Sequence, residues 1–236
     1  MARRREWLEG PILLLWAALG LAALAAAVLH AHGSGEPAVR ALLRATAGCS
    51  LALFLMAFAA SGLHWLARRP ASAWLLRNRR WVGLSMALSH AAHLAAIVVL
   101  ASRWPAAGAA IPPATRVAGS FGYVVLAALV VTSNDRAVAR LGARRWRALH
   151  RSGCWLLWLV FALSYAPGAA ESPGHAFATG SLAAVAVLRA RGRLAARSAR
   201  PARPDAAVFQ PQERTDSPRG EARSGADARA TDHSVR

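Results

Sequence analysis

Apolar residues in this chain fall into long, nearly unbroken runs, without the period-two alternation of strands or the one-sided stripe of a soluble helix. The runs are Pro11–Leu29, Ala41–Leu66, Trp81–Ala101, Val117–Val131, Ala148–Ala166 and His175–Leu188. About 20 apolar residues at ~1.5 Å per residue cover a hydrocarbon core of ~30 Å, so such runs predict membrane-spanning helices. The fourth run is short and carries Gly119 and Gly122, and the sixth is the weakest, being brief and rich in Ala. The pattern predicts an all-α membrane protein, a six-helix transmembrane bundle.

Between the runs the chain is polar. His30–Pro37 reads as a short loop whose His30 and His32 are solvated. Ala67–Arg80, Ser102–Arg116, Thr132–Arg147 and Ala169–Gly174 read as the remaining loops, with Pro105, Pro112 and Pro113 stopping helix propagation in the second of these. The first run reads as a retained helix, because its apolar core is long and no clean small-residue cleavage site follows. From Arg189 onward the sequence is rich in Arg, Pro, Ala and Asp and nearly lacks large apolar residues. It cannot bury enough surface to offset chain entropy, which predicts a disordered basic C-terminal tail. The expected organisation is an N-terminal segment 1–10, a bundle 11–190 and a tail 191–236.

Composition agrees: 56% of residues are hydrophobic and 17% charged. The net charge is +18, and all 29 basic residues are Arg. A soluble fold with clustered arginines would point to nucleic acid. Here the arginines lie between apolar runs and in the tail, so topology accounts for them and no nucleic-acid partner is expected. Most sit in the N-terminus, Ala67–Arg80, Thr132–Arg147 and the tail. The positive-inside rule puts those segments and both termini in the cytoplasm, in a bacterial-type inner membrane. Arg189–Arg203, following directly on an apolar run, should attract anionic membrane lipid. Cys49 and Cys154 lie inside apolar runs and read as small buried hydrophobes.

The candidate chemistry is carried by histidine. His90 and His93 are three residues apart on one face of the third run, roughly 14–18 Å into the membrane. Ionisable side chains at that depth face a partner or a cofactor, and imidazole in an apolar bundle suits an axial position on haem iron. Interhelical hydrogen bonding by neutral histidine accounts for the same spacing. His150 enters the fifth run near the cytoplasmic surface, and His64 stands at comparable depth at the end of the second. On depth, His64 matches His150 well, His90 less well and His93 poorly.

Several short motifs then form a set. Arg79-Arg80-x-x-Gly83-Leu84 with His93, Thr132-Ser133-Asn134, and Leu141-Gly142-x-x-x-Trp146-x-x-Leu149-His150 occur in order. Over roughly Leu43–Ala190 the chain resembles the ferric-reductase-like transmembrane domain superfamily. That superfamily includes ferric reductases, the membrane halves of NADPH oxidases, and the haem-binding subunit of the bacterial periplasmic methionine-sulfoxide reductase. The resemblance implies a haem b bundle passing electrons across a membrane as part of an oxidoreductase system, with His93 and His150 at the family's ligand positions. The family also places a second histidine on the fifth span, where this chain has Leu163, Ser164 and Tyr165. One haem held by His90 or His93 with His150, or by His64 with His150, therefore stands beside a haem-free bundle acting as a scaffold or partner subunit. The segment after the sixth run is too short and polar for an FAD or NAD site. The expected electron partners are a quinol, a separate reductase or a periplasmic redox protein.

Overall fold

A computed structural model describes residues 8–198 of the chain. Eight α-helices follow one another there: α1 Ile12–His32, α2 Glu36–Leu66, α3 Pro70–Arg103, α4 Pro105–Ala109, α5 Pro113–Val131, α6 Asp135–Leu141, α7 Ala143–Tyr165 and α8 Pro173–Ser198. A 3-10 turn, Ala166–Gly168, joins α7 to the connection before α8. Every expected run becomes a helix, with the short α4 and α6 added between them. Four helices, α1, α2, α3 and α5, are long and apolar enough to cross a membrane. The fifth and sixth runs, in α7 and α8, fall short of that measure, because arginines occupy the first turns of α7 and the last turns of α8.

The expected loops are largely helical. Ala67–Arg80 shrinks to three residues, since Pro70 opens α3, and the Ser72 hydroxyl accepts from the Arg69 N–H at 3.2 Å. His30 and His32 belong to α1, and Glu36 and Pro37 already belong to α2. In Thr132–Arg147, the Asn134 side chain caps α6 by accepting from the Ala137 N–H at 2.8 Å. Gly142, with φ 75°, turns the chain into α7. The segment expected to be disordered from residue 191 is helical through Ser198, because Ala and Arg favour helix and this stretch of α8 packs on α2. Residues 1–7 and the remainder of the expected tail lie outside the described residues.

The principal core joins α2, α3, α5, α7 and α8 through Phe54, Phe58, Met86, Leu126, Leu157, Phe161 and Leu182. Three aromatic contacts cross it: Phe54–Phe58 at 5.3 Å, Phe54–Phe161 at 5.0 Å, and Phe58–Trp155 edge-on at 5.0 Å. Between membrane helices, tight packing takes over from water exclusion as the source of affinity, and small residues permit it. A Cβ on Gly62 would lie 2.8 Å from Leu188 Cγ and 3.1 Å from the Leu188 carbonyl oxygen, so α8 lies directly against α2. Gly122 meets Val160 and Gly153 meets Leu129, which seats α5 on α7 in the same way. Gly122 is a packing position in a continuous helix.

Hydrogen bonds and ion pairs define the two ends of the bundle. Trp74 Nε1 donates to the Leu8 carbonyl at 2.8 Å, the Gly10 N–H to Asn78 Oδ1 at 2.9 Å, and Arg80 pairs with Asp135 at 3.0 Å. The foot of α1, the α2–α3 turn and α6 thus share one end, and it is the arginine-rich end. At the opposite end, Val39, Ala96, Leu100 and Trp104 pack where α2 begins and α3 gives way to α4.

Candidate histidine site in the bundle

α3 and α2 are zipped by buried hydroxyls. Ser50 Oγ donates to Ser89 Oγ at 3.0 Å, and Ser89 Oγ reaches the Thr46 carbonyl at 3.3 Å. This register sets Thr46 opposite His93, with Oγ1 3.1 Å from Nδ1. The proton between them can be assigned by accounting. Thr46 Oγ1 sits 2.7 Å from the Leu42 carbonyl, so its single hydrogen goes to its own helix. The oxygen then accepts, the proton rests on His93 Nδ1, and Nε2 is left with its lone pair. A hydrogen bond at one ring nitrogen that fixes the other for a metal is how ligating histidines are oriented.

His90, one turn earlier, stacks on His93 with ring centroids 5.5 Å apart and lies against Tyr123 at 4.8 Å. It meets Phe161 edge-on at 5.9 Å. Tyr123 Oη donates to the His90 carbonyl at 3.1 Å, tying α5 to α3 at this level. His90 Nδ1 is buried and has no hydrogen-bond partner. A buried imidazole nitrogen left unpaired costs free energy on the order of 1–3 kcal/mol unless something occupies it.

His150 lies elsewhere. Its Nε2 is 2.9 Å from Thr132 Oγ1, and its ring stacks on Trp146 at 4.2 Å. Trp146 Nε1 in turn donates to the Thr132 carbonyl at 2.8 Å. Thr132 Oγ1 gives its hydrogen to the Ala128 carbonyl at 2.6 Å, so His150 carries its proton on Nε2 and the lone pair on Nδ1. Along α7, His150 precedes the His90-contacting Phe161 by about three turns, roughly 16 Å of helix rise. Two imidazole nitrogens on one metal stand about 4 Å apart, twice a metal–nitrogen bond of about 2 Å. The structure therefore brings His90 and His93 together and leaves His150 at a separate level. His64 is a third location, at the α2–α3 turn, with Nδ1 3.3 Å from Ser72 Oγ.

Thr46 and Tyr123 were not singled out by sequence, and Thr132 and Trp146 stood there only as motif residues, with no role toward His150. Threonine and tyrosine inside apolar runs were the available signal, since a hydroxyl there needs an acceptor. An apolar cavity of about 240 Å³ opens beside Thr46 between α1, α2 and α3, walled by Leu21, Leu24, Val39, Leu42 and Val99. It offers no metal donor and is not the position of a cofactor's iron. Among the described residues, no three His, Cys, Asp or Glu side chains converge as a bare metal ion requires. An imidazole nitrogen with a free lone pair in an aromatic, apolar setting fits a prosthetic group that brings four of its iron's ligands itself.

Comparison with known proteins agrees with this chemistry. The sequence model of the family described as ferric reductase like transmembrane component matches residues 44–161. The chain is 30% identical over 158 residues to the protein-methionine-sulfoxide reductase heme-binding subunit MsrQ of Polaromonas naphthalenivorans, covering 64% of this chain and 70% of that protein. It is also 30% identical over 144 residues to the MsrQ of Azospira oryzae, covering 58% of this chain and 60% of that one. No solved structure matches.

Proposed function

Because this chain belongs to the ferric reductase-like transmembrane family, we propose that it is a multi-pass membrane protein that binds haem and transfers electrons as a subunit of an oxidoreductase system. The carrying observation is the Thr46–His93 pair, which leaves Nε2 of a membrane-embedded imidazole available as a ligand.

The haem is b-type, held by coordination and packing. His93 binds iron through Nε2, and the unpartnered His90 Nδ1 marks the same level of the bundle as the place where a further polar partner is wanted. When bound, haem supplies a one-electron carrier inside the apolar layer. The chain's own residues do the rest. Thr46 fixes the ring and tautomer of His93, Tyr123 anchors the helix segment bearing His90, and Phe54 and Phe161 fill the space below and exclude water. His150, oriented by Thr132 and Trp146, is a second imidazole position nearer the arginine-rich end.

All six long helices cross the membrane, with α7 and α8 completing the bundle and their arginines at the interface. The arginine-rich end and both termini face the cytoplasm of a cell whose inner membrane holds the protein. The electron donor is a quinol or a separate reductase. The acceptor is an extracytoplasmic redox subunit that reduces methionine sulfoxide in proteins, the chemistry named for the relatives.

A reduced-minus-oxidised absorption spectrum of the detergent-purified protein, with haem extracted and quantified, tests this reading. Haem b absorbance is expected, and its spin state counts the imidazole ligands, high-spin for one and low-spin for two. A folded protein without haem absorbance, even after reconstitution, establishes the haem-free scaffold instead.

A further inference from the structure

We infer that His175, at the head of α8, is the second axial ligand of the haem iron that His93 binds. This deepens the proposed function and rests on haem binding at His93.

An iron with an imidazole on one face of its haem takes the second axial ligand from the other face. His90 cannot be that ligand. It stands one turn from His93 on the same helix, with its ring stacked on that of His93 at 5.5 Å, so both rings approach from one side. The second donor must come from another helix at the level of His93. α7 carries no imidazole there, only Leu163, Ser164 and Tyr165. α8 does.

Two independent registers bring His175 to that level. The first runs through α7. Phe161 meets His90 at 5.9 Å, and α3 and α7 both start at the arginine-rich end. One turn further out, about 5 Å of rise on each helix, stand His93 on α3 and Tyr165 on the Phe161 face of α7. The Tyr165 ring lies 5.4 Å from the ring of His175. The second register runs through α2. Gly62 lies against Leu188, and Gly192 against Gly62 and Trp65, so α2 and α8 run side by side in one direction. A step back of about 16 residues, roughly 24 Å on each helix, reaches Thr46 on α2 and comes within about one residue of His175 on α8. Thr46 is the residue whose Oγ1 stands 3.1 Å from His93 Nδ1.

The half-buried His175 ring is seated between Tyr165 and the turn that follows α7, since a Cβ on Gly168 would lie 3.0 Å from His175 Cδ2. The face of α8 that bears it turns inward: Thr179, one turn on, has a buried Oγ1. That oxygen has no hydrogen-bond partner, and neither has His90 Nδ1. On α3 and on α8 alike, an unpaired buried polar atom thus stands one turn inward of the imidazole. Such atoms cost free energy unless something occupies them. One group bound at this level between the two helices gives both a reason.

The test is optical and electron paramagnetic resonance spectroscopy of the full-length protein, purified in detergent and loaded with ferric haem. Each variant is also made with His150→Ala, so that a haem at that level is not counted. The wild-type haem at His93 should be low-spin. His175→Ala should keep that haem and turn it high-spin, and added imidazole should restore the low-spin signal. His175→Met should stay low-spin with a raised reduction potential, as a thioether in place of an imidazole gives. Tyr165→Phe should leave the spectrum as it is. A haem that is wholly high-spin in the wild type, or an unchanged low-spin signal in His175→Ala, overturns the ligand. Conversion to high-spin by Tyr165→Phe gives the position to the tyrosine oxygen instead. If His175→Ala loses its haem or fails to fold, His175→Met decides: a low-spin haem sustains ligation, and its absence leaves His175 a packing residue. A folded wild type without haem overturns the reading of His93 itself.

Discussion

Thr46 Oγ1 stands 3.1 Å from Nδ1 of His93, across the contact between two helices and 47 residues away in the chain. The bond fixes a tautomer as well as a position, because the threonine hydrogen is already committed to the Leu42 carbonyl. A side chain with no contact to a metal thus decides which imidazole nitrogen can meet one.

Thr46→Val keeps the shape of the side chain and removes the acceptor. Haem affinity should fall about 10- to 100-fold, the usual cost of losing a hydrogen-bond partner behind a ligand. The fold should lose less, since interhelical hydrogen bonds in membranes average about 0.6 kcal/mol. Haem titration followed by absorbance, beside a thermal unfolding curve, separates the two. Unchanged affinity would show that Nε2 of His93 is not the ligand.

The four histidines should separate by site. His93→Ala should abolish the haem spectrum of the site at that level. His90→Ala should perturb that spectrum while leaving haem bound. His150→Ala should leave the bands assigned to His93 in place, because about three helical turns separate the two levels. His64→Ala, at the α2–α3 turn, should change nothing. Haem content and low-temperature spectra of the four purified variants check this, and total loss of haem in His64→Ala would move the ligand to α2.

Gly62→Ala should destabilise the bundle by about 1–3 kcal/mol, as overpacking in a tight interior does. The new Cβ would meet Leu188 at both side chain and backbone, and the backbone cannot rotate away. Gly153→Ala should cost less, since the atoms in its way are the ends of the flexible Leu129 side chain. Thermal midpoints in one detergent rank the pair. Equal midpoints would mean that α8 shifts freely on α2.

Topology follows from the arginine distribution. Reporter fusions after Gly35, Gly108 and Gly168 should all read as extracytoplasmic, and a fusion at Asn134 as cytoplasmic. A cytoplasmic reading at Gly108 would overturn the six-span arrangement.

The helices were legible because each long apolar run can only become a helix in lipid. Their true lengths were not. Ala67–Arg80 reads as a loop in the sequence, yet Pro70 opens α3, because proline fits the first turn of a helix. The histidines were legible as ionisable residues at depth, whereas their grouping was not. His90 and His93 meet by local spacing, but the level of His150 relative to them depends on how α7 lies against α3, which no local pattern records. Thr46 escaped notice for the same reason, and Thr132 was visible only as a motif residue and not as the partner of His150. Gly192, in the stretch expected to be disordered, is where α8 meets the backbone of α2.

α1 has no buried residue, and α3 grips the main chain at its start and just before it: Trp74 holds the Leu8 carbonyl, Asn78 the Gly10 N–H, and Ser85 Oγ approaches the Leu13 carbonyl at 3.5 Å. Contacts through atoms that every residue possesses are indifferent to spelling. Where the foot of α1 is gripped in this way, substitutions among apolar residues that keep the helix should be tolerated more readily than in α2, whose face is buried. Glu9 is the exception there, for its pairing with Arg77. The foot of this helix is held by its address in the bundle more than by its letters.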